Sequence, residues 1–436
     1  MIPVSTFRKY ALLLPLSGLA VACSSDATSG KIAGKTARDA AVPAVKINQI
    51  NVLVDASGGM QGFMHANAPG MPGSGFQQTV TALLSDVNGQ RNQQTAPPAF
   101  YFVKEATGAD PHVLVPATYN ELTGAISTGI QKPALGTELP QMLAEALKLQ
   151  AKKPGTVSII VSDFIYSPKN PSETWRVKTD VKDALSTADA THLAVSVFAS
   201  TSEYRGNFYP GNRTHSQALH GEKLPYYIWV VGAPELVGQV DGSLLKRLAG
   251  QPQAHFNTKF APPYAALDHF QNAGEWYKAD VGSVPAVALT KSVSWKEPAE
   301  IVFGLDLKGV PAEWQKAAAQ GLRLDPAATN ATLLRTWLVA QEPAAAGKAY
   351  LQSYTHLAKI RLNQIPGAGA LLHLTLPRQQ PAWVAQTSTA NDSNIAKQGP
   401  KTFLLADVLQ GVADYFADQP SAQLSLDLPV RVQRAE

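Results

Sequence analysis

"INVLVDASGGM", residues 50–60, decides how the chain is read. Val52, Leu53 and Val54 form an unbroken apolar run, the pattern of a strand buried on both faces. The run stops on Asp55, and Ser57, Gly58 and Gly59 follow at once. A strand that ends on a carboxylate and passes into a glycine turn places oxygen atoms at the carboxyl edge of a sheet. In open α/β sheets that edge is where ligands bind. Three uses of the corner are open at this point: a metal site, a catalytic turn, or a plain strand-to-helix connection.

The alternation that begins here continues to about residue 250. Residues 64–75 are rich in Gly and Pro and read as a loop. Phe76, Val80, Leu83, Leu84 and Val87 share one face of a helix over 76–87. Residues 99–103 are strand-like and 119–130 helical. Residues 137–151 give the clearest helix, with Leu139, Met142, Leu143, Ala146 and Leu147 on its apolar side and Thr137 as its N-cap. The run 157–161 is a further buried strand, followed by the pair Ser162-Asp163. A helix over 177–188, a strand over 192–199, a loop over 200–224, a strand over 226–232 and a helix over 236–248 complete the series. Strands alternating with helices imply right-handed crossovers and a mostly parallel sheet with helices on both faces, an α/β fold. Asp55 and Asp163 both fall at strand ends of that sheet.

The remainder has a different pattern. Six strand-like segments, several with period-two alternation, are separated by loops and two helical stretches, 311–320 and 403–416. They predict a β-rich C-terminal domain, α+β or sandwich-like, over 281–436, following an α/β domain over 46–280. Residues 250–280, rich in Pro, His and aromatics, fit either part.

The 436-residue chain opens with Arg8 and Lys9 ahead of a twelve-residue apolar stretch, 11–22. That stretch is shorter than the ~20 residues a spanning helix needs and has the form of a secretory signal. "AVAC", residues 20–23, resembles a bacterial lipobox, with Ala20 where such motifs most often carry Leu. The resemblance implies that Cys23, the only cysteine in the chain, is lipidated after cleavage, so that 1–23 is the signal peptide and lipobox. Ser24 at the next position implies sorting to the outer membrane. Residues 24–45, rich in Ser, Ala, Thr, Gly and Lys, read as a flexible tether. With one cysteine, the chain has neither a disulfide nor a thiolate zinc site. The formal net charge of +4 falls to +2 without Arg8 and Lys9, and no run of four basic residues occurs. A clustered basic face is what nucleic acid needs, so nucleic acid is not an expected partner.

"VDASGGM", "LGTEL" and "IIVSDF" together resemble the von Willebrand factor A (vWA) family. That family carries a metal-ion-dependent adhesion site built on Asp-x-Ser-x-Ser after the first strand, a Thr opening a helix and an Asp ending a later strand. Asp55 and Ser57 match the first motif, Thr137 the second and Asp163 the third. The intervals, 82 residues from Asp55 to Thr137 and 26 from Thr137 to Asp163, fit the intervening elements. The likeness covers residues 47–249 and implies a vWA-like, Rossmann-like fold. It also implies a divalent cation, Mg²⁺ or else Mn²⁺ or Ca²⁺, held by Asp55, Ser57, Thr137 and Asp163 with one position open to a partner's carboxylate. Mg²⁺ is a hard ion that takes oxygen ligands and keeps several waters, which agrees with two hydroxyls and two carboxylates. Gly59 stands where the family has its second serine, so ion binding is expected to be weak or dependent on the partner.

Other chemistry has less support. Haloacid-dehalogenase-like phosphatases also end a strand on Asp, but they need a second Asp where this chain has Ser57. No Gly-x-Ser-x-Gly, His-Glu-x-x-His or phosphate loop occurs. The nine histidines are scattered; His215 and His220 are close, in what reads as a solvated loop. Tyr226, Tyr227 and Trp229 read as core strand. Residues 381–394 read as a surface loop, with a second binding surface as the alternative. The expectation is a lipid-anchored envelope protein facing the periplasm. It is expected to bind another protein at the Asp55/Ser57/Thr137/Asp163 edge, flanked by 64–75 and 200–224, and not to be an enzyme. An envelope hydrolase using the same strand-end pocket and a structural lipoprotein with an inactive site are the alternatives.

Overall fold

A computed structural model describes residues 46–435 apart from 68, 69, 71, 91–93, 108–111, 135–137, 169, 280–283, 326–329 and 366–368. The described residues fall in one compact unit, Ala40–Glu436. Cys23, the signal peptide, the tether and Thr137 lie outside the described residues.

The apolar run becomes β1 (Gln49–Asp55), an interior strand of a seven-stranded sheet. It pairs in parallel with β2 (Ala99–Val103) on one side and with β4 (Thr156–Ser162) on the other. β3 (Leu114–Ala117) adds antiparallel to β2 as an edge strand. Pro116 explains why its pattern is faint, since a residue without an N–H is tolerated only at an edge. β5 (Ala194–Phe208), β6 (Gln217–Gly232) and β7 (Gln253–Phe256) complete the order β3-β2-β1-β4-β6-β5-β7.

The sheet is mixed, not mostly parallel as the alternation suggested. β6 is antiparallel to both β4 and β5, and β7 is antiparallel to β5. The reason lies in residues 200–224, which are not a loop. Apart from 209–216 they extend β5 and β6 into a two-stranded ribbon, paired from Ser200 against Tyr226 out to Phe208 against Gln217 with a register shift between Tyr204 and Arg205. Consecutive strands joined by a connection as short as 209–216 run antiparallel, whereas a parallel neighbour would need a longer crossover.

Alternation along β1 assigns the two faces. Val52 and Val54 pack under α1 (Gly75–Gly89), α2 (Tyr119–Thr128) and α5 (Pro234–Ser243). Leu53 packs under α3 (Leu139–Lys152) and α4 (Val177–Leu185). α1 starts on a capping box: the Ser74 hydroxyl accepts from the Gln77 amide while the Gln77 side chain accepts from the Ser74 amide. Thr118 and Glu121 do the same for α2. Reciprocal caps of this kind satisfy amides that the first helical turn leaves unpaired. α3 begins two residues later than its pattern predicted, with Glu138 in the capping position.

The second region is two sheets around one core. β8 (Tyr264–Ala266), β11 (Ala299–Leu305), β13 (Ala331–Leu338) and β14 (His356–Leu362) form one; β9 (Trp276–Ala279), β10 (Ala286–Leu289), β12 (Arg323–Asp325), β15 (Ala370–Pro377) and β18 (Leu424–Arg434) form the other. They share a hydrophobic core with α6 (Ala312–Gly321). Each of the six strand-like segments holds one strand, and residues 264–279 pair with this region.

The chain then returns. α7 (Trp383–Thr387), β16 (Ser388–Thr389), α8 (Ile395–Gln398), β17 (Thr402–Phe403) and α9 (Leu405–Tyr415) leave the second region and lie on the first sheet. Leu405, Val408, Leu409 and Val412 of α9 join the core beneath α3 and α4. A buried polar joint also spans the regions. Ser196 Oγ of β5 donates to Asp241 Oδ2 at 2.6 Å and lies 2.9 Å from His255 Nδ1. The His255 ring meets Trp314 of α6 edge-on at 5.2 Å.

Candidate functional site

β1 and β4 are adjacent and parallel, so their carboxyl ends lie side by side and bring Asp55 and Asp163 together. Asp55 is fully buried and both of its carboxylate oxygens are engaged. Oδ1 accepts from the Ser57 amide at 2.8 Å, closing the turn after the strand, and Oδ2 accepts from Ser162 Oγ at 2.7 Å. The strand ladder continues one residue further, with the Ala56 amide on the Val103 carbonyl. Ser57 then opens a 3-10 turn, Gly58–Phe63, without capping it through its side chain. Its backbone pairs with Ala134: the Ala134 amide donates to the Ala56 carbonyl and the Gly58 amide to the Ala134 carbonyl. This pairing holds Ala134 against the turn.

Asp163 is half-buried and Oδ1 accepts from the Ile165 amide at 3.2 Å. Enclosure by the protein, and after it the Asp55 charge, push its carboxyl up to about 7. The residue after it, Phe164, has φ 54°, a left-handed backbone that costs a bulky side chain roughly 1–2 kcal/mol. Phe164 is held there by its ring, stacked on Trp229 at 4.5 Å and 8°, and by its amide on Ser162 Oγ at 3.0 Å. The strained residue turns the chain out of the core at the point where Asp163 must face the turn.

Gly59 sits between the two motifs. A Cβ there would lie 3.0 Å from Asp163 Oδ2 and 3.7 Å from Ser57 Oγ. Ser57 Oγ and the Asp163 carboxylate therefore face one small space, and that space is where the side chain of a second serine would enter. Among the described residues no three His, Cys, Asp or Glu side chains stand close enough to hold one metal ion. The donors at hand are a hydroxyl and two carboxylates, a set that suits a hard cation held in part through its own waters.

Tyr204 of the ribbon braces the turn. Its hydroxyl stands 2.8 Å from the Gly59 carbonyl, and its ring fills the space beside Gly62, where a Cβ would come within 2.3 Å. Tyr209, 53 % exposed, lies over Gly58. Phe63, Ile165, Phe208, Leu224, Pro225, Lys401 and Thr402 line a narrow cleft with Asp163. Thr402 lies 2.9 Å from the Tyr227 hydroxyl. The ribbon thus flanks the site as 200–224 was expected to, but as ordered strands. His215 and His220 are exposed on it.

Of the four expected site residues, the fold brings Asp55, Ser57 and Asp163 together. Sequence reasoning missed Tyr204, Lys401 and Asp392. Asp392 is fully buried and its Oδ2 accepts from the Gly211 amide at 2.7 Å. It lies in 381–394, the stretch left open between surface loop and second binding surface. Its charge also opposes ionisation of Asp163. Comparisons with protein-family models, with curated proteins and with solved structures return no match for this chain.

Proposed function

We propose that this chain captures another protein through a von Willebrand factor A-like domain whose metal-ion-dependent adhesion site is partly degenerate. The observation that supports this most is the meeting of Asp55, Ser57 and Asp163 at the carboxyl ends of neighbouring parallel strands. Ser57 Oγ and the Asp163 carboxylate would hold Mg²⁺, Mn²⁺ or Ca²⁺, with Asp55 orienting Ser57 and balancing charge. Thr137 completes the set in this reading. The ion, when bound, supplies an electrophilic position for a carboxylate of the partner. With glycine at position 59 and a carboxyl at Asp163 whose ionisation burial and the Asp55 charge oppose, the affinity of the free protein for the ion is low. The partner's carboxylate then contributes to holding it. Binding rather than turnover is the activity proposed.

Thermal unfolding in EDTA and in millimolar Mg²⁺, Mn²⁺ or Ca²⁺ tests the reading, with Asp55→Ala alongside. A ligand that binds only the folded state stabilises it by ~2.7 kcal/mol at a hundredfold excess over its dissociation constant. A rise in melting temperature that Asp55→Ala abolishes is expected. No rise with any ion removes the metal from the free protein.

We propose further that Cys23 is lipidated and holds the chain on the outer membrane, facing the periplasm. No helix among the described residues is long and apolar enough to cross a membrane. Metabolic labelling with a fatty-acid analogue should mark the wild type and not Cys23→Ala; label in the variant would sink the anchor.

A further inference from the structure

We propose that Ser196, Asp241, His255 and Thr258 form a proton-held clasp between the first sheet and the second region, and that the clasp loosens as the pH rises. The cluster holds one proton more than a neutral imidazole and a free carboxylate carry between them.

The hydrogen bonds show where that proton sits. Gln253 Nε2 donates to the carbonyls of Ala249 and Gln251 at 2.9 and 3.3 Å, so its Oε1 is the atom that meets His255 Nε2 at 2.8 Å. An amide oxygen only accepts, and Nε2 therefore carries a hydrogen. On the other side of the ring, Nδ1 lies 2.9 Å from Ser196 Oγ. The serine has one hydrogen and gives it to Asp241 Oδ2 at 2.6 Å. Nδ1 must then bring its own hydrogen to Ser196 Oγ, or two lone pairs face each other at that distance. Thr258 Oγ1, at 2.8 Å, is left to donate to the same oxygen. Ser196 Oγ thus gives one bond and accepts two, which is all that a hydroxyl can do. A ring with hydrogens on both nitrogens is an imidazolium, and Asp241 Oδ2 stands 3.3 Å from its Nδ1.

Burial agrees with that count. The side chains of His255 and Asp241 are 1 % and 2 % exposed, and Asp241 Oδ1 is buried with no hydrogen-bond partner among the described residues. A buried carboxylate without a cation costs far more than one beside its partner, and the imidazolium makes the cluster neutral as a whole. Around the ring, β5 presents Ser196 and Phe198, α5 presents Asp241, the chain after β7 presents Thr258 and Phe260, and α6 presents Trp314. Asp241 alone among these is ionisable. The other charged side chains of the same elements lie elsewhere: Glu235, Lys259, Glu313 and Lys316 are exposed, and Glu203 and Arg205 are out on the ribbon. Arg378 lies over the ring of Phe256, on the opposite face of the sheet from His255.

The frame around the cluster is stiff. Ser196 on β5 is directly opposite His255 on β7. α5 presses on the chain after β7 so closely that no Cβ would fit on Gly238 beside the Lys259 carbonyl, and the Lys259 amide donates to the Pro234 carbonyl at 3.1 Å. The rings of His255, Phe260 and Trp314 meet edge-on, 5.2 to 5.4 Å apart, and the last two belong to the second core. Loss of the proton sets Nδ1 against Ser196 Oγ and leaves the Asp241 charge uncompensated, at the ring through which the two regions meet.

The test reads the ring nitrogens of His255 and the carboxyl of Asp241 by NMR in the full chain at pH 7.5. Two protonated ring nitrogens are expected. A neutral ring beside a protonated Asp241 is the same proton at the other end of the clasp and also agrees. A neutral ring beside an ionised carboxylate overturns the proposal. The pH response is measured in parallel. Above about pH 6.5 an imidazole in the unfolded chain is neutral, so the folded chain holds the extra proton and stability falls as the pH rises; below that value the contribution is complete. One proton changes the folding equilibrium up to about tenfold per pH unit. Asp241→Asn removes the charge that the proton offsets. From pH 7 upward the folding constant of the wild type is expected to fall by about tenfold per unit relative to this variant, until the folded clasp releases its proton. Amide hydrogen exchange over 253–260 and 312–321, corrected for the intrinsic rate, is expected to quicken between pH 7 and 9 in the wild type while that of 49–55 does not. Parallel stability curves, or exchange at the clasp that does not change, overturn the pH response. The spectrum and the exchange rates need no variant, so they decide the matter even if Asp241→Asn does not fold.

Discussion

Ser162 Oγ donates to Asp55 Oδ2 at 2.7 Å while accepting the Phe164 amide at 3.0 Å. One hydroxyl therefore ties the end of β4 to the end of β1 and fixes the strained residue that follows Asp163. Asp55 is held by this side chain and by a backbone amide, that of Ser57. The two serines beside Asp55 thus play different parts: Ser162 positions the carboxylate, and the Ser57 hydroxyl is left to face the site.

Ser162→Ala should then cost stability. It removes a hydrogen bond to a buried charged group, worth ~1.5–3 kcal/mol, and leaves the Phe164 amide short of an acceptor. Ser57→Ala keeps the amide that Asp55 uses and should stay within ~0.5 kcal/mol of the wild type. Urea unfolding of the two variants checks the contrast. Equal losses would mean that the Ser57 hydroxyl is structural and is not held ready for a ligand.

Gly59→Ser restores the hydroxyl that the vWA motif would carry. Gly59 does not adopt a positive φ, so the added side chain meets only a local contact, 3.0 Å from Asp163 Oδ2. The expected cost in EDTA is below ~1.5 kcal/mol, in the lower range for a crowded small-to-large change. In millimolar Mg²⁺ or Mn²⁺ the variant should gain more in melting temperature than the wild type does. An equal or smaller gain would show that residue 59 does not face an ion.

Much of this was legible in the residues themselves. Val52, Leu53 and Val54 are buried on both faces of the sheet, as an unbroken apolar run requires, and the strand ends on Asp55 at the edge where ligands bind. The ribbon was not legible. Glu203, Arg205, Gly206 and Asn207 give a polar, glycine-bearing pattern, because one face of the ribbon is turned to water, and the buried Tyr204, Phe208, Leu219 and Leu224 on its other face are too widely spaced to stand out as a strand. Asp392 was illegible for another reason. Nothing local marks an aspartate in a polar stretch as buried; its environment comes from Gly211, Gln217 and Ile395, two of them far away in the chain. The return of α9 to the first sheet is likewise a tertiary fact, although its apolar stripe of Leu405, Val408, Leu409 and Val412 shows that it must cover something.

That return depends on one close approach. Gly411 of α9 faces α4 so tightly that a Cβ would lie 2.6 Å from the Lys178 carbonyl and 3.0 Å from Val181 Cβ. Gly411→Ala raises helix propensity by roughly 1 kcal/mol, but the backbone contact cannot yield as a flexible side chain would. A net destabilisation of ~1–3 kcal/mol is expected, the usual range for overpacking. Stabilisation in a urea titration would show that α9 is free to shift on α4.

The last prediction concerns pH and the second core. His356 of β14 is buried, and Nε2 lies 2.8 Å from the Gln315 carbonyl of α6. A carbonyl only accepts, so Nε2 carries the hydrogen. Burial lowers the pKa of the ring below its ordinary value, and the hydrogen bond to Gln315 opposes that only in part. A histidine whose folded pKa is lowered favours the neutral ring in the native state. Its contribution is complete above the unfolded value of about 6.5 and is lost as the pH falls through the lower, folded value. The unfolded chain binds the extra proton first, so stability must drop on acidification across that window. His356→Gln keeps a donor for the Gln315 carbonyl and has no proton to take up. Unfolding free energies measured from pH 7.5 to 5 should fall less steeply in the variant than in the wild type. Parallel curves would mean that the β14–α6 contact opens far enough to hydrate His356 before it titrates.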